Sequence, residues 1–286
     1  IGRTNMLKDV KRPLGGEFTL DYARVGNTYA LQSSKWVLAS VEIRDGVPGD
    51  GADTMKNSFE YEDGYYDRHE REFYGFKTVK NHQLNTENNN AIYRSLVQEF
   101  INNDYYRQGL PKSETVQDAQ GKRYTESINT YQLKDITTGN TLPSDYASND
   151  SGAAFPALTE AKTQFYGGLN TPQKGTRQTY AYDLLGNVTA YTDFADEGPE
   201  DDLSAQITYH AVAAPYIMNV PKSIVVTSNG QTYRKREADI DNATGLVTQI
   251  RQFSDNSTSS NYDMSYDPYG NLSSINRPQN AQGERL

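Results

Sequence analysis

The sequence has no cysteine, one tryptophan, four methionines and three histidines, and its 28 basic side chains face 37 acidic ones for a formal net charge of −9. Each shortage excludes something. Without cysteine there is no disulfide framework, no thiolate nucleophile and no Cys-ligated zinc. No apolar run approaches the ~20 residues that a membrane-crossing helix needs. An acidic excess is the wrong sign for neutralising phosphates, which argues against a nucleic-acid surface. What is abundant is tyrosine, 22 residues in 286, beside 9 phenylalanines and 22 glycines. Aromatic and β-branched residues at this density argue against disorder. The length is enough for one large β domain or two smaller ones. The chain opens on Ile1 with no initiator methionine and no basic-then-apolar stretch, so it reads as a piece of a longer polypeptide.

Alternation dominates the chain. Val37, Ala39, Val41 and Ile43 are expected on one strand face, with Trp36, Leu38, Ser40 and Glu42 between them; Phe18, Leu20 and Tyr22 alternate likewise, as do Leu246, Thr248 and Ile250. Period two with β-branched and aromatic enrichment predicts half-buried strands. Ile92, Tyr93, Leu96, Val97 and Phe100 also fit helical spacing, but nothing caps a helix there and the segment is read as strand. The fold class is all-β, an extended antiparallel sheet of repeated hairpins.

Turn signals punctuate the strands. Asp118-Ala-Gln-Gly121, Asp183-Leu-Leu-Gly186 and Asp267-Pro-Tyr-Gly270 share one spacing, and Asp241-Asn-Ala-Thr-Gly245 is one residue longer. An Asp at the first turn position accepts hydrogen bonds from amides just ahead, and the Gly supplies the positive φ that closes the hairpin. Asn229-Gly230 is a separate tight-hairpin signal. A longer repeat relates Tyr106-Arg-Gln-Gly-Leu-Pro-Lys-Ser113 to Tyr216-Ile-Met-Asn-Val-Pro-Lys-Ser223 at an offset of 110, each followed by a turn ending in Gly121 or Gly230 and then by Tyr124 or Tyr233. The organisation expected is a strand-rich part over 1–136, a long connection over 137–176 and a repeat part over 177–286, in one continuous sheet more readily than in two domains.

Chemistry-bearing clusters are sparse. His69, His82 and His210 are scattered, with no paired spacing for a metal, and neither a Gly-x-Ser-x-Gly elbow nor a phosphate loop occurs. No catalytic residue and no cofactor is assigned. Asp45, Asp50 and Asp53 partly match a Gly/Asp calcium repeat, but a single copy cannot complete the coordination, and a flexible loop is the plainer reading. The acidic run Asp193, Asp196, Glu197, Glu200, Asp201 and Asp202 reads as a solvated loop. Glu60, Glu62, Asp63, Glu70 and Glu72 raise a glycoside hydrolase, although charge alternating with Tyr and Phe is also what a half-exposed strand produces. Tyr rows facing solvent would instead suit a glycan-binding or adhesion module.

Two segments carry a family signature. Tyr180-Ala-Tyr182-Asp183-Leu-Leu-Gly186-Asn187-Val188 and Tyr262-Asp-Met-Ser-Tyr266-Asp267-Pro-Tyr-Gly270-Asn271-Leu272 resemble the YD repeat of RHS (rearrangement hotspot) proteins, and Asp239-Ile-Asp241-Asn-Ala-Thr-Gly245 resembles a degenerate copy. Residues 59–76, with Thr4-Asn-Met-Leu-Lys8 and Pro13-Leu-Gly-Gly16, are similar to the B-component, virulence-plasmid toxin-like branch of insecticidal toxin complexes. The resemblance implies a hollow shell wound from a β strip around a C-terminal toxic polypeptide. It also implies a secreted or cell-surface protein whose partners are the rest of that shell and its cargo; cell-surface glycans are the partner expected on the alternative, tyrosine-based reading. In such a family Tyr182, Asp183, Gly186, Asp241, Gly245, Tyr266, Asp267 and Gly270 serve packing and turn closure, not catalysis. The family's self-cleavage motif and toxic domain are not found in these 286 residues.

Overall fold

A computed structural model describes residues 5–47, 49, 53–143, 146, 153–196, 198–255, 257–280 and 282–285. Among them are seventeen strands and no helix. The first eight are β1 (Asp9–Lys11), β2 (Glu17–Val25), β3 (Lys35–Arg44), β4 (Thr54–Asp67), β5 (Glu72–Asn85), β6 (Ala91–Ile101), β7 (Leu110–Asp118) and β8 (Arg123–Asp135). Then come β9 (Ala154–Phe165), β10 (Lys174–Tyr182), β11 (Val188–Asp193), β12 (Leu203–Val212), β13 (Ile217–Ser228), β14 (Gln231–Ile240), β15 (Val247–Phe253), β16 (Ser259–Tyr266) and β17 (Leu272–Asn276). The antiparallel hairpin sheet expected from the alternation is present, and the ambiguous segment around Ile92 is strand β6. Between Asp135 and Lys174, where a long connection was expected, β9 supplies a twelve-residue strand. Its Ala157 is fully buried, and small side chains on a covered face weaken the alternation that would have announced it.

The chain divides into two compact units. The first comprises Ile1–Thr130, Asp145–Ser151 and Lys162–Gly175; the second comprises Tyr131–Ser144, Gly152–Ala161 and Thr176–Leu286. Within the first, β1 to β8 pair with their sequence neighbours; within the second, β10 to β17 do so. Hairpin-to-hairpin pairing of this kind follows from short turns, which leave antiparallel neighbours as the geometry within reach.

Register sorts the second unit's side chains onto two unlike faces. Tyr180 opposes Tyr191, Ala205 opposes Val226, Ile207 opposes Ile224, Ala238 opposes Ile250, Ile250 opposes Tyr262 and Met264 opposes Ile275. The opposite face carries polar ladders, with Thr192 beside Ser204 and Glu237 beside Arg251. Few apolar side chains are buried among the described residues: Leu31, Tyr74 and Tyr166 in the first unit, and Leu133, Ala157 and Ala238 in the second. A sheet with so little dry interior favours Tyr, whose ring supplies apolar area and whose hydroxyl stays satisfied at a wet edge.

Bulges correct one sequence expectation. Val37, Ala39, Val41 and Ile43 do not share a face throughout β3, because the register slips between Asp21 and Tyr22: Asp21 opposes Ser40 and Tyr22 opposes Leu38. Ala39 is the extra residue, so Leu38 joins the face of Val41. One inserted residue inverts every side chain beyond it, and local sequence does not announce the insertion. The 110-residue repeat is itself a bulge device. Glu99 opposes Ser113 and Phe100 opposes Pro111, leaving Lys112 extra; Thr208 opposes Ser223 and Tyr209 opposes Pro221, leaving Lys222 extra. Proline, which cannot donate to a ladder, sits where the ladder is already interrupted.

Candidate functional site

The residues singled out by the repeat build one recurring turn. At Asp183 the Gly186 amide donates to the Asp183 carbonyl (3.2 Å), and the Asp183 amide donates to the Asn187 carbonyl (3.0 Å). Asp183 Oδ1 then accepts from the Leu185 and Asn187 amides, both at 2.9 Å, while Oδ2 accepts from Asn187 Nδ2 at 2.9 Å. Asp267 repeats the pattern with Tyr269 and Asn271: two amide donations at 2.9 Å and one from Asn271 Nδ2 at 3.0 Å. Gly186 has φ +83° and Gly270 φ +84°, the left-handed region that a Cβ disfavours. The Asn after the Gly is thus a member of the motif, closing the carboxylate's second oxygen. Asn187 Nδ2 also donates to the Met218 carbonyl (2.9 Å), tying the turn to β13.

The longer turn works differently. Asp241 Oδ1 accepts from the amides of Ala243 (3.0 Å) and Thr244 (2.8 Å) and from Thr244 Oγ1 (2.8 Å), and the Gly245 amide donates to the Asp241 carbonyl (2.9 Å). Asp135-Ile-Thr-Thr-Gly139 reproduces it: Asp135 Oδ1 accepts from Thr137 and Thr138 amides, each at 2.8 Å, and from Thr138 Oγ1 at 3.1 Å. Sequence reading missed this copy; its signal was the shared Asp-x-x-Thr-Gly spacing. Asn280-Ala-Gln-Gly283 was also missed, with Asn in place of Asp, and Asn280 Oδ1 accepts from the Gln282 and Glu284 amides at 3.0 and 2.8 Å. Amide donation to a carboxylate stabilises its charged form. Backbone and side-chain donors hold Asp135, Asp241 and Asp267 below the usual carboxylate range, and in the turn at Asp255 the Thr258 and Ser257 amides bring the carboxyl down to about 2.

A tyrosine clasp accompanies the turns. Tyr266 donates its hydroxyl to the Val247 carbonyl (2.8 Å), and Tyr182 donates to Leu158 (2.9 Å) with its ring edge-on to Phe155 at 5.3 Å. Tyr209, not singled out from sequence, does the same to Val188 (2.9 Å). Val188 and Val247 are each the first residue of the strand leaving a turn. The hydroxyl therefore satisfies a strand-end carbonyl on the neighbouring strand. Burial of the rings pushes the phenols of Tyr182 and Tyr209 upward.

Two of the carboxylates considered for hydrolysis, Glu60 and Glu62, are engaged by Lys80. Lys80 Nζ lies 2.5 Å from Glu62 and 3.6 Å from Glu60, and the Glu62 contact leads in pushing the lysine's pKa up. His82 lies between Ser95, at 2.7 Å from Nδ1, and Glu60, at 3.5 Å from Nε2. That order of groups superficially matches a nucleophile, base and orienting acid. Ser95, however, is only 3% exposed and cannot meet a substrate. Asp45 Oδ1 accepts from the Val47 amide (2.9 Å) and Asp53 Oδ1 from Gly49 (3.4 Å), while Asp50 lies outside the described residues. No group of three or more metal-ligating side chains occurs among the described residues.

Residues 1–114, the stretch that includes the toxin-like run at 59–76, match the family model of the insecticide toxin TcdB middle/N-terminal region. Over those residues the chain is similar to that toxin region. Solved structures agree on the fold across nearly all of the chain. The structure of TcdB2-TccC3-TEV superposes with a TM-score of 0.71 at 10% identity, covering 96% of this chain and 21% of that one. That of TcdB2-TccC3-Cdc42 gives 0.66 at 10% identity over 86% and 18%, and the Photorhabdus luminescens Tc holotoxin pore carrying TccC3-D651A gives 0.64 at 11% over 86% and 18%. This chain thus spans about a fifth of each of these structures. No curated protein matches it. At such identity the fold is shared while few side chains are, so a backbone whose turns are locally encoded survives extensive sequence change.

Proposed function

We propose that this chain is a non-enzymatic length of wall in an RHS-type shell, part of a secreted or surface-delivered toxin complex that encloses a toxin-like polypeptide. The observation that carries this is the coincidence of two features. A toxin B-region match covers residues 1–114, and a fold shared with TcdB2-TccC3 structures extends over 96% of the chain. The arrangement of polar side chains is consistent with a structural role: turn carboxylates accept backbone amides, and strand carboxylates pair with lysine or arginine. Its partners would be the remainder of the same shell, a TccC-like component and the enclosed segment.

The test is protease protection in the complete polypeptide. With residues 1–286 in place, the C-terminal segment should resist a protease that digests it once this stretch is deleted. Equal digestion of both forms would sink the reading, as would undiminished recovery of the TccC-like component with the deleted form.

A further inference from the structure

Wall-building does not account for a cavity of about 1010 Å3 inside the first unit. It opens because β3 and β4 pair only where residues 40–44 face residues 54–58, and then part. Residues 26–34 fill part of the fork. Leu31, 1% exposed, packs against Gly64, where a Cβ would stand 2.6 Å from Leu31 Cδ2, and the Tyr66 amide donates to the Ala30 carbonyl (2.8 Å). On the far side Asn102 bridges β5 to the following loop, donating to the Phe76 carbonyl (2.6 Å) and accepting from the Gly109 amide (2.8 Å). Both walls are pinned.

The lining has a definite chemistry. Tyr61 and Phe76 form an aromatic wall, with centroids 5.0 Å apart, and Leu31 and Phe100 extend it. The cationic rim is neutralised, since Arg107 pairs with Asp104 (2.7 Å) and Lys112 with Glu99 (2.9 Å). Four polar groups at the cavity make no hydrogen bond or ion pair among the described residues: the hydroxyl of half-buried Tyr61 and, exposed at the rim, the side chains of Asp63, Lys77 and Asn103. Asp63 and Lys77 fall opposite each other in the β4–β5 ladder, between the pairs Glu62–Thr78 and Gly64–Phe76, and their charges offset.

These features narrow the ligand. A fatty chain would use the aromatic wall but gain nothing from the polar groups exposed at the rim, and would leave the Tyr61 hydroxyl without a partner. A small anion would meet a site with no net positive charge. A sugar ring offers what the lining lacks: one apolar face for aromatic packing, and hydroxyls that both donate and accept. We propose that this cavity binds an uncharged saccharide of one or two rings, packed on Tyr61 and Phe76 and hydrogen-bonded by Asp63, Lys77 and Asn103.

The test exposes the complete polypeptide that contains residues 1–286 to an array of neutral mono- to tetrasaccharides, then titrates the strongest array sugar by calorimetry. Asp63→Asn is conformationally mild, because Asp63 has φ +51° and Asn tolerates that region. It should weaken binding about tenfold or more, as should Lys77→Met, through loss of a charge-assisted hydrogen bond. Tyr61→Phe, which keeps the ring, should cost only about threefold. Unchanged melting temperatures would show that all three variants are folded. Three results would overturn the proposal: no sugar on the array is bound, affinity is indifferent to Asp63→Asn and Lys77→Met, or a short peptide or fatty acid displaces the sugar with higher affinity.

Discussion

The β4–β5 hairpin of the first unit and the β16–β17 hairpin of the second hold themselves together by different means. The first is long, with fourteen residues in each strand, and its strands are joined by ring contacts of Tyr61 with Phe76 and Tyr65 with Tyr74, with Phe73 edge-on to Phe76 along β5. Its turn accommodates Arg71 at φ +58° without glycine, supported by Asp67 accepting from the His69 and Glu70 amides at 2.8 Å. The second has strands of eight and five residues, no aromatic pair across it among the described residues, and a turn closed at every position by Asp267, Gly270 and Asn271. Length permits side-chain packing to dominate. A short hairpin buries too little for that, so its turn chemistry has to fix the register.

If that contrast is right, damage to packing should be felt most in the first unit. Leu31→Ala removes the first unit's fully buried plug and leaves a space beside Gly64, and should destabilise by about 2–5 kcal/mol. Trp36, the sole tryptophan, lies on β3, so its fluorescence in urea reports that unit directly. A shift in the far-UV transition that leaves the Trp36 transition unmoved would contradict the assignment.

Turn damage is the matching test for the second unit. Gly270→Val and Gly186→Val force a β-branched residue to positive φ and should each cost about 1–3 kcal/mol. A Cβ at Gly270 meets no atom within 4 Å, whereas one at Gly186 meets only the Phe155 ring at 3.7 Å. The two losses should therefore be similar and arise from backbone strain. Unaltered thermal unfolding in both variants would refute turn-centred stability. A smaller loss, about 0.5–1.5 kcal/mol, is expected for Tyr266→Phe, which deletes the bond to the Val247 carbonyl and a weak one to Met264 Sδ. The same change at Tyr269, which is 90% exposed, should have no measurable effect in parallel denaturant titrations.

Acid sharpens the comparison further. Carboxylates that accept turn amides have folded pKa values below their unfolded ones, about 2 for Asp255 and lowered for Asp135, Asp241 and Asp267. A depressed carboxylate contributes stability that is present above its unfolded value, near 4, and is lost as pH falls through the folded value. Between about pH 4 and pH 2 the second unit should therefore lose stability through its turns, and the first through Asp67, whose carboxyl the Glu70 amide also holds down. The double variant Asp255→Asn, Asp267→Asn should show a flatter dependence, read from melting temperatures across that window. An unchanged slope would assign the acid sensitivity to other groups.

How much of this could be read in advance depended on how far the relevant atoms lie along the chain. The Asp183 and Asp267 turns were legible because donor, acceptor and glycine fall within five residues. Asp135 was missed although its chemistry is equally local, since the polar stretch after it reads as connection and hides the spacing shared with Asp241. The face assignment of β3 failed at Ala39, where the slip depends on the partner strand β2. Of the tyrosine clasps, the residues at 182 and 266 were picked out by position, but their acceptors, Leu158 and Val247, are 24 and 19 residues away.

The sequence by itself determined most of the elements and their ends, β9 apart: strands from alternation, hairpins from Asp, Gly and Asn, and ladders in place of disulfides in a chain without cysteine. These depend on interactions within a few residues, whose energies do not require the rest of the fold. Tertiary structure decided where the ladder slips, which carbonyl each tyrosine reaches, and that β3 and β4 part around Leu31 to leave a lined cavity. Each of those outcomes is set by a partner strand's register, which is fixed only when many half-buried side chains on both strands are satisfied together.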